Sequence, residues 1–180
     1  ISPVSVYLKI RDQFPNSILL ESSDYHGNDN SFSYICCNPI ASIKVEAKLI
    51  TKTYPDHTTE TKTVEPNKVT LEIDTFTKQF KTKNDKVFKF INNGMFGFTA
   101  YDAVKYFEDI TISKKEDSIE IPDIYYAVYQ NIIAINHFKN EAYIFAHCYE
   151  CESNIEAIDH LIKIQSFSSY DFKSKGEISS

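Results

Sequence analysis

The 180-residue chain contains no tryptophan and only four glycines, Gly27, Gly94, Gly97 and Gly176. Average usage would place about a dozen glycines in this length. Neither G-x-G-x-x-G nor G-x-x-x-x-G-K can be written from four so placed, so Rossmann and P-loop nucleotide binding are excluded at the level of motif. No apolar run approaches the ~18 to 20 residues that span a bilayer. The N-terminus also lacks the basic, then apolar, then small-residue order of a secretory signal. The chain therefore reads as cytoplasmic, with no membrane partner. A basic excess is lacking too: 19 Lys and Arg stand against 25 Asp and Glu, a net charge of −6. A phosphate-tracking surface needs the opposite balance, so a general nucleic-acid binder is excluded.

What is present is a composition that buries a core, with 42% hydrophobic and 14% aromatic residues. This length and composition fit one globular domain. The chain starts at Ile1 rather than Met and ends in a polar run over 173–180. Both ends read as cut, and the expectation is a domain over 1–172 followed by the start of a linker over 173–180.

Ser2-Pro3 is an N-cap followed by a first-turn proline, and Val4, Tyr7, Leu8, Ile10 and Phe14 recur at helical spacing, which predicts an amphipathic helix over 3–13. Short β-like runs over 17–22 and 32–37 flank a polar loop. Asn38-Pro39 punctuates the second run, and alternating strands follow over 41–47 and 49–54. The threonine-rich stretch 55–68 has almost nothing to bury and predicts a loop or hairpin tip. Asp74 caps a predicted short helix that packs through Phe76 and Phe80. A strand over 95–100 runs directly into helical spacing at Tyr101, Val104 and Phe107 or Glu108. A long β-rich run over 124–138 turns at Lys139-Asn140 into a second strand over 141–149. Ile155, Ile158, Leu161 and Ile162 then mark a closing amphipathic helix over 154–167. Together these predict an α+β domain with a largely antiparallel β-sheet and flanking helices.

Few residues group as reactive chemistry requires. Cys36-Cys37 and the C-x-x-C of Cys148 and Cys151 would form a zinc site only by converging, and neighbouring residues on a strand face opposite ways. The simpler reading is four reduced thiols in a cytosolic chain. His26 has Asp24 nearby, yet no nucleophile in a strained elbow accompanies it, so it reads as a solvated loop histidine. The carboxylates show no helical pairing with histidine of the kind that builds metal sites.

Three ordered stretches resemble one family. They are Ile18-Leu19-Leu20-Glu21-Ser22-Ser23-Asp24, then Phe32-Ser33-Tyr34-Ile35-Cys36-Cys37-Asn38-Pro39, then the block from Asn93-Gly94-Met95-Phe96-Gly97-Phe98 through Tyr101-Asp102 to Lys105 and Glu108. They are similar to the L-L-E-S, Y-S-F-[LI]-G-x-x-P and G-G-x-x-G-Y-x-x-Y-D-x-x-R-x-x-E blocks in the N-terminal region of anthranilate synthase component I. Pro122-Asp123-Ile124-Tyr125-Tyr126 fits the next block of the same family. The departures are Asn93 for a glycine, Phe98 for tyrosine, Lys105 for arginine and Cys36 for a glycine.

The resemblance implies a carbon–oxygen lyase in its full-length form, converting chorismate to anthranilate and pyruvate in tryptophan biosynthesis. It implies Mg²⁺ held by a C-terminal chorismate-binding domain beyond this chain, and ammonia supplied by a glutamine amidotransferase subunit, component II. No catalytic, cofactor or metal residue then falls within the fragment, which is expected to be inactive alone. The L-L-E-S block implies an L-tryptophan feedback site at Leu20, Glu21 and Ser22. Strand alternation puts Leu20, Ser22 and Asp24 on one face and Glu21 on the other, so Ser22 ranks first as a ligand contact and Glu21 is equally readable as a structural or salt-bridging residue. Gly97 and Tyr101-Asp102 read as scaffold, the glycine allowing close backbone approach and the pair fixing the strand-to-helix corner. Two alternatives stay open: the matching domain of aminodeoxychorismate synthase component I, serving the folate pathway, and a free-standing small-molecule-binding module. A domain that normally packs on a partner is also expected to expose an apolar patch.

Overall fold

The computed structural model describes residues 2–21, 31–82, 87–110, 112, 121–150 and 152–164. Its elements follow as α1 (Pro3–Arg11), β1 (Ile18–Leu20), β2 (Phe32–Glu46), β3 (Leu49–Thr53), β4 (Thr59–Thr63), α2 (Val69–Thr77), β5 (Met95–Thr99), β6 (Ile124–Asn136), β7 (Glu141–Ala146) and α3 (Ile155–Lys163), with 3-10 turns at Pro66–Lys68 and Tyr101–Tyr106. The final stretch expected as linker lies outside the described residues, and the closing helix expected over 154–167 ends at Lys163, where Ile164 turns extended.

Two long strands organise the sheet. β2 and β6 pair antiparallel from Phe32 opposite Asn136 to Val45 opposite Ile124. The free edge of β2 takes β1 at one end and β3 followed by β4 at the other, while the free edge of β6 takes β7 and β5. Every pairing is antiparallel and the helices lie outside the sheet, which is the expected α+β class.

Three hydrophobic clusters form the core, and two of them hold the sheet to its helices. Val6 and Ile10 of α1 and Ile158 of α3 bury against Ile35, Cys37, Ile133 and Ile135. Ser2 caps α1, accepting a 3.4 Å bond from the Ser5 amide, and Pro3 sits in the first turn, where its missing N–H costs nothing. Lys9 crosses from α1 to donate its ammonium to the Ile162 and Ile164 carbonyls at the end of α3. Phe76 of α2 anchors a second cluster with Ile43, Val45, Ile50 and Val69. The third joins Cys36, Phe96, Ala127, Tyr129 and Ile132.

Four sequence expectations are corrected. Asn38-Pro39 does not end a strand, because β2 runs through it with a register shift between Pro39 and Ala41. Asn38 adopts a left-handed φ of 59°, and its amide donates to the buried Gln130 side chain, which in turn donates to the Glu152 carbonyl at 3.2 Å. A bulge is where a strand tolerates a residue without an N–H. Second, the threonine-rich stretch forms β4, each residue of it exposed. β-Branched threonines suit an edge strand, and Glu60 and Lys62 guard that edge against pairing with other chains. Third, α2 begins at Val69 behind the 3-10 turn at Pro66, so Asp74 lies inside the helix and pairs with Lys78 at 2.6 Å instead of capping it. Phe76 and Phe80 do pack together, with ring centroids 5.0 Å apart. Fourth, the turn after β5 buries Ala103 and Tyr106 and leaves Tyr101 89% exposed, so Tyr101 does not fix the corner.

Asp123 fixes that corner instead. Its carbonyl accepts the Ala100 amide at 2.8 Å, one carboxylate oxygen takes Lys105 at 2.7 Å, and the other takes the Tyr106 hydroxyl at 2.7 Å. Burial pushes Asp123 up, but the Lys105 and Tyr106 bonds outweigh it and hold its carboxyl below the ordinary range. Burial and the bond to Asp123 push the Tyr106 phenol up to about 12.

Candidate functional site

The residues of the L-L-E-S block enter the structure on β1. Ile18 pairs with Cys36, Leu19 with Ile35 and Leu20 with Tyr34. Alternation divides them as strand geometry requires: Ile18 and Leu20 pack on the cluster of Cys36, Phe96 and Tyr129, and Leu19 packs on that of Ile35 and Cys37. β1 ends at Leu20, so the alternation does not run on through Glu21. Glu21 is exposed and forms no ion pair with a described residue. Ser22, ranked first, lies outside the described residues, as do His26 and Asp24.

Leu20 therefore stands at the end of a short strand beside aromatic rings. Tyr34, opposite Leu20, stacks on Phe32 at 6.2 Å and lies 6.0 Å from Phe96. Phe90 stacks on Phe32 at 4.6 Å, and Phe88 meets Phe145 edge-on at 5.1 Å. Burial pushes the Tyr34 phenol above its ordinary value, with a backbone bond to Ile91 pulling the other way, so its hydroxyl remains a neutral donor. Apolar and aromatic surface next to an exposed carboxylate is chemistry compatible with a small amphipathic ligand bearing an ammonium group. The aromatic partners were not legible beforehand, because Phe88 and Phe90 sit in a loop with no period of its own.

Nothing reactive converges among the described residues. Cys36 and Cys37 are wholly buried in different clusters, as their adjacency on a strand dictates. Burial raises the Cys37 thiol to about 12 and Cys36 further, so both remain protonated packing groups. Cys148 is exposed and Cys151 lies outside the described residues; among the described residues no group of three His, Cys, Asp or Glu side chains is placed to hold a metal. Ser33 Oγ does lie 2.7 Å from His137 Nε2. Ser33 is fully buried within β2, and this pair joins the start of β2 to the residue after β6. No helix among the described residues is long and apolar enough to cross a membrane.

Comparison with known proteins places the chain beside one enzyme. It is 28% identical over 153 residues to anthranilate synthase component 1 of Lactococcus lactis subsp. lactis (strain IL1403), covering 81% of this chain and 29% of that protein. It is 26% identical over 141 residues to anthranilate synthase component 1 of Pseudomonas putida, covering 78% of this chain and 28% of that protein. The chain is thus similar to anthranilate synthase component I, as the sequence blocks imply, and spans under a third of the length of these relatives. A crystal structure of anthranilate synthase component I from Streptococcus pneumoniae TIGR4 aligns with a TM-score of 0.49 and 22% identity, over 90% of this chain and 33% of that one. No family model matches the chain.

Proposed function

We propose that this chain is the N-terminal regulatory and structural domain of an anthranilate synthase component I. The observation that carries this reading is that two curated relatives from different organisms, each an anthranilate synthase component 1, align over about four fifths of the chain. In this reading the whole enzyme is a lyase that forms anthranilate and pyruvate from chorismate, with ammonia from a glutamine amidotransferase partner, component II. Chorismate and Mg²⁺ belong to a further domain, on which this one packs, and the fragment alone is inactive.

Leu20, Glu21 and Ser22 contribute to an L-tryptophan feedback site. Leu20 offers apolar contact, Glu21 an acceptor for the ligand's ammonium, and Ser22 a hydroxyl donor to its carboxylate. The exposed Glu21, which has no ion pair among the described residues and follows Leu20 opposite the aromatic Tyr34, supports that division of labour.

The test is the product of the complete reading frame that encodes this chain, incubated with chorismate, Mg²⁺ and an ammonium salt. Fluorescent anthranilate and equimolar pyruvate are expected. A non-fluorescent aminated chorismate formed without pyruvate would assign the chain to the folate-pathway relative instead.

A further inference from the structure

A cleft of about 890 Å³ opens between three segments distant in sequence: the β3–β4 turn, the end of α2 and the residues after β7. Neither Leu20 nor Glu21 lines it, so it is separate from the site above. Its volume is that of an ordinary small-molecule pocket. Ile40 and Val128 line its apolar part. Ile40 is the residue left without a partner where the β2 register shifts, so the bulge held by Asn38 and Gln130 aims this side chain into the cleft.

Tyr54, Phe80 and Tyr149 bring aromatic rings to the walls. Two of them are held from behind by the fully buried Phe76, whose centroid lies 5.8 Å from Tyr54 and 5.0 Å from Phe80. The polar lining includes one carboxylate, Asp56, on the β3–β4 turn. Asp56 takes the Thr58 hydroxyl at 2.6 Å and the Thr58 amide at 3.0 Å on one oxygen. Those two bonds lower its pKa and keep it an anion. His147 Nε2 lies 2.7 Å from the Asn92 carbonyl, which can only accept. A hydrogen therefore sits on His147 Nε2. Lys81 is the one fixed cation among the described lining residues, and it is exposed.

Aromatic faces beside a carboxylate attract a positive charge. We propose that this cleft is a binding site for a small organic cation, an ammonium group carried on an aromatic body. The ring of the ligand lies against Tyr54, Phe80 and Tyr149, its ammonium meets Asp56, and Lys81 opposes binding from the rim. This site is independent of the tryptophan reading.

The test uses the whole chain and a pair of probes matched in shape but opposite in charge, 2-phenylethylammonium and phenylacetate, followed by amide NMR shifts. The ammonium probe is expected to shift the Asp56, Thr58, His147 and Tyr149 amides in a saturating manner, while phenylacetate leaves them in place. Asp56→Asn is expected to weaken the ammonium probe about three- to fivefold and Lys81→Met to strengthen it by a similar factor, as suits partly solvated charges. Both side chains are exposed, so the variants keep the fold, which the unchanged remainder of the spectrum verifies. Ser22→Ala is expected to leave the titration unaltered. Binding of phenylacetate as tight as that of the ammonium, indifference to Asp56→Asn, or no shift by either probe would overturn the proposal.

Discussion

Gly97 lies so close to Tyr125 that a Cβ on residue 97 would sit 1.9 Å from the Tyr125 carbonyl oxygen. The neighbour is backbone in the middle of the β5–β6 pairing and cannot rotate away. Gly97→Ala is expected to separate β5 from β6 and to destabilise the chain by at least ~2 kcal/mol, the cost of forcing volume into a packed site. Urea unfolding checks this through a lowered midpoint. An unchanged midpoint would show that β5 does not pair with β6 at this distance.

Lys9 ties the two helices of the α1–α3 cluster together through the last carbonyls of α3. A cation at a helix C-terminus satisfies carbonyls that have no partner within the helix and opposes the negative end of its dipole. Lys9→Met retains the apolar stem and removes the charge, so it is expected to cost about 1–2 kcal/mol. Faster amide exchange confined to residues 159–164 is the local signature, and a uniform change across the chain would contradict it.

Acid is expected to loosen two specific joints. Lys52, with a side chain only 6% exposed, pairs with Glu72 at 2.7 Å, and Lys62 meets the other Glu72 oxygen at 3.0 Å. The Lys52 bond first, then that of Lys62, lowers the Glu72 pKa from its ordinary value, and Asp123 is likewise held below the usual carboxylate range. A carboxyl depressed by folding contributes stability that is fully present above its unfolded pKa and is lost as pH falls through the folded one. Stability should therefore hold at neutral pH and decline below the ordinary carboxylate range. Glu72→Gln is expected to cost ~2–3 kcal/mol at neutral pH, because it leaves the buried Lys52 without an anion. It is also expected to flatten the acid limb of a plot of unfolding midpoint against pH, and an acid limb of unchanged slope would remove Glu72 from the account.

Much of this fold is legible in the sequence where burial is one-sided. Ile10 of α1, the apolar positions of α3, the β6–β7 hairpin and the close approach at Gly97 follow from period and residue type, whereas α1 buries Val6 and leaves Val4 of its expected face 45% exposed. The β2 bulge is not legible, because Asn38-Pro39 punctuates a chain locally while Gln130, distant in sequence, holds the strand together across it. β4 escapes because an edge strand exposed on both faces has no apolar alternation to read. Asp123 and Lys9 escape because their partners are fixed only by the completed sheet. Of the candidate ligand residues, the block itself is legible by resemblance, whereas the aromatic surroundings of Leu20 depend on Phe88 and Phe90 folding back from a loop.

Feedback inhibition through residues 20–22 is tested most directly on the product of the complete reading frame, by measuring L-tryptophan inhibition of ammonia-dependent anthranilate formation in the parent and in Ser22→Ala. Loss of one hydrogen bond to a charged ligand group corresponds to about a tenfold rise in the inhibitory concentration. The expected result is inhibition by L-tryptophan and not by L-phenylalanine, weakened about tenfold in Ser22→Ala with uninhibited turnover unchanged. Insensitivity of the parent enzyme to L-tryptophan, or equal inhibition of the two proteins, would contradict a regulatory role for this domain.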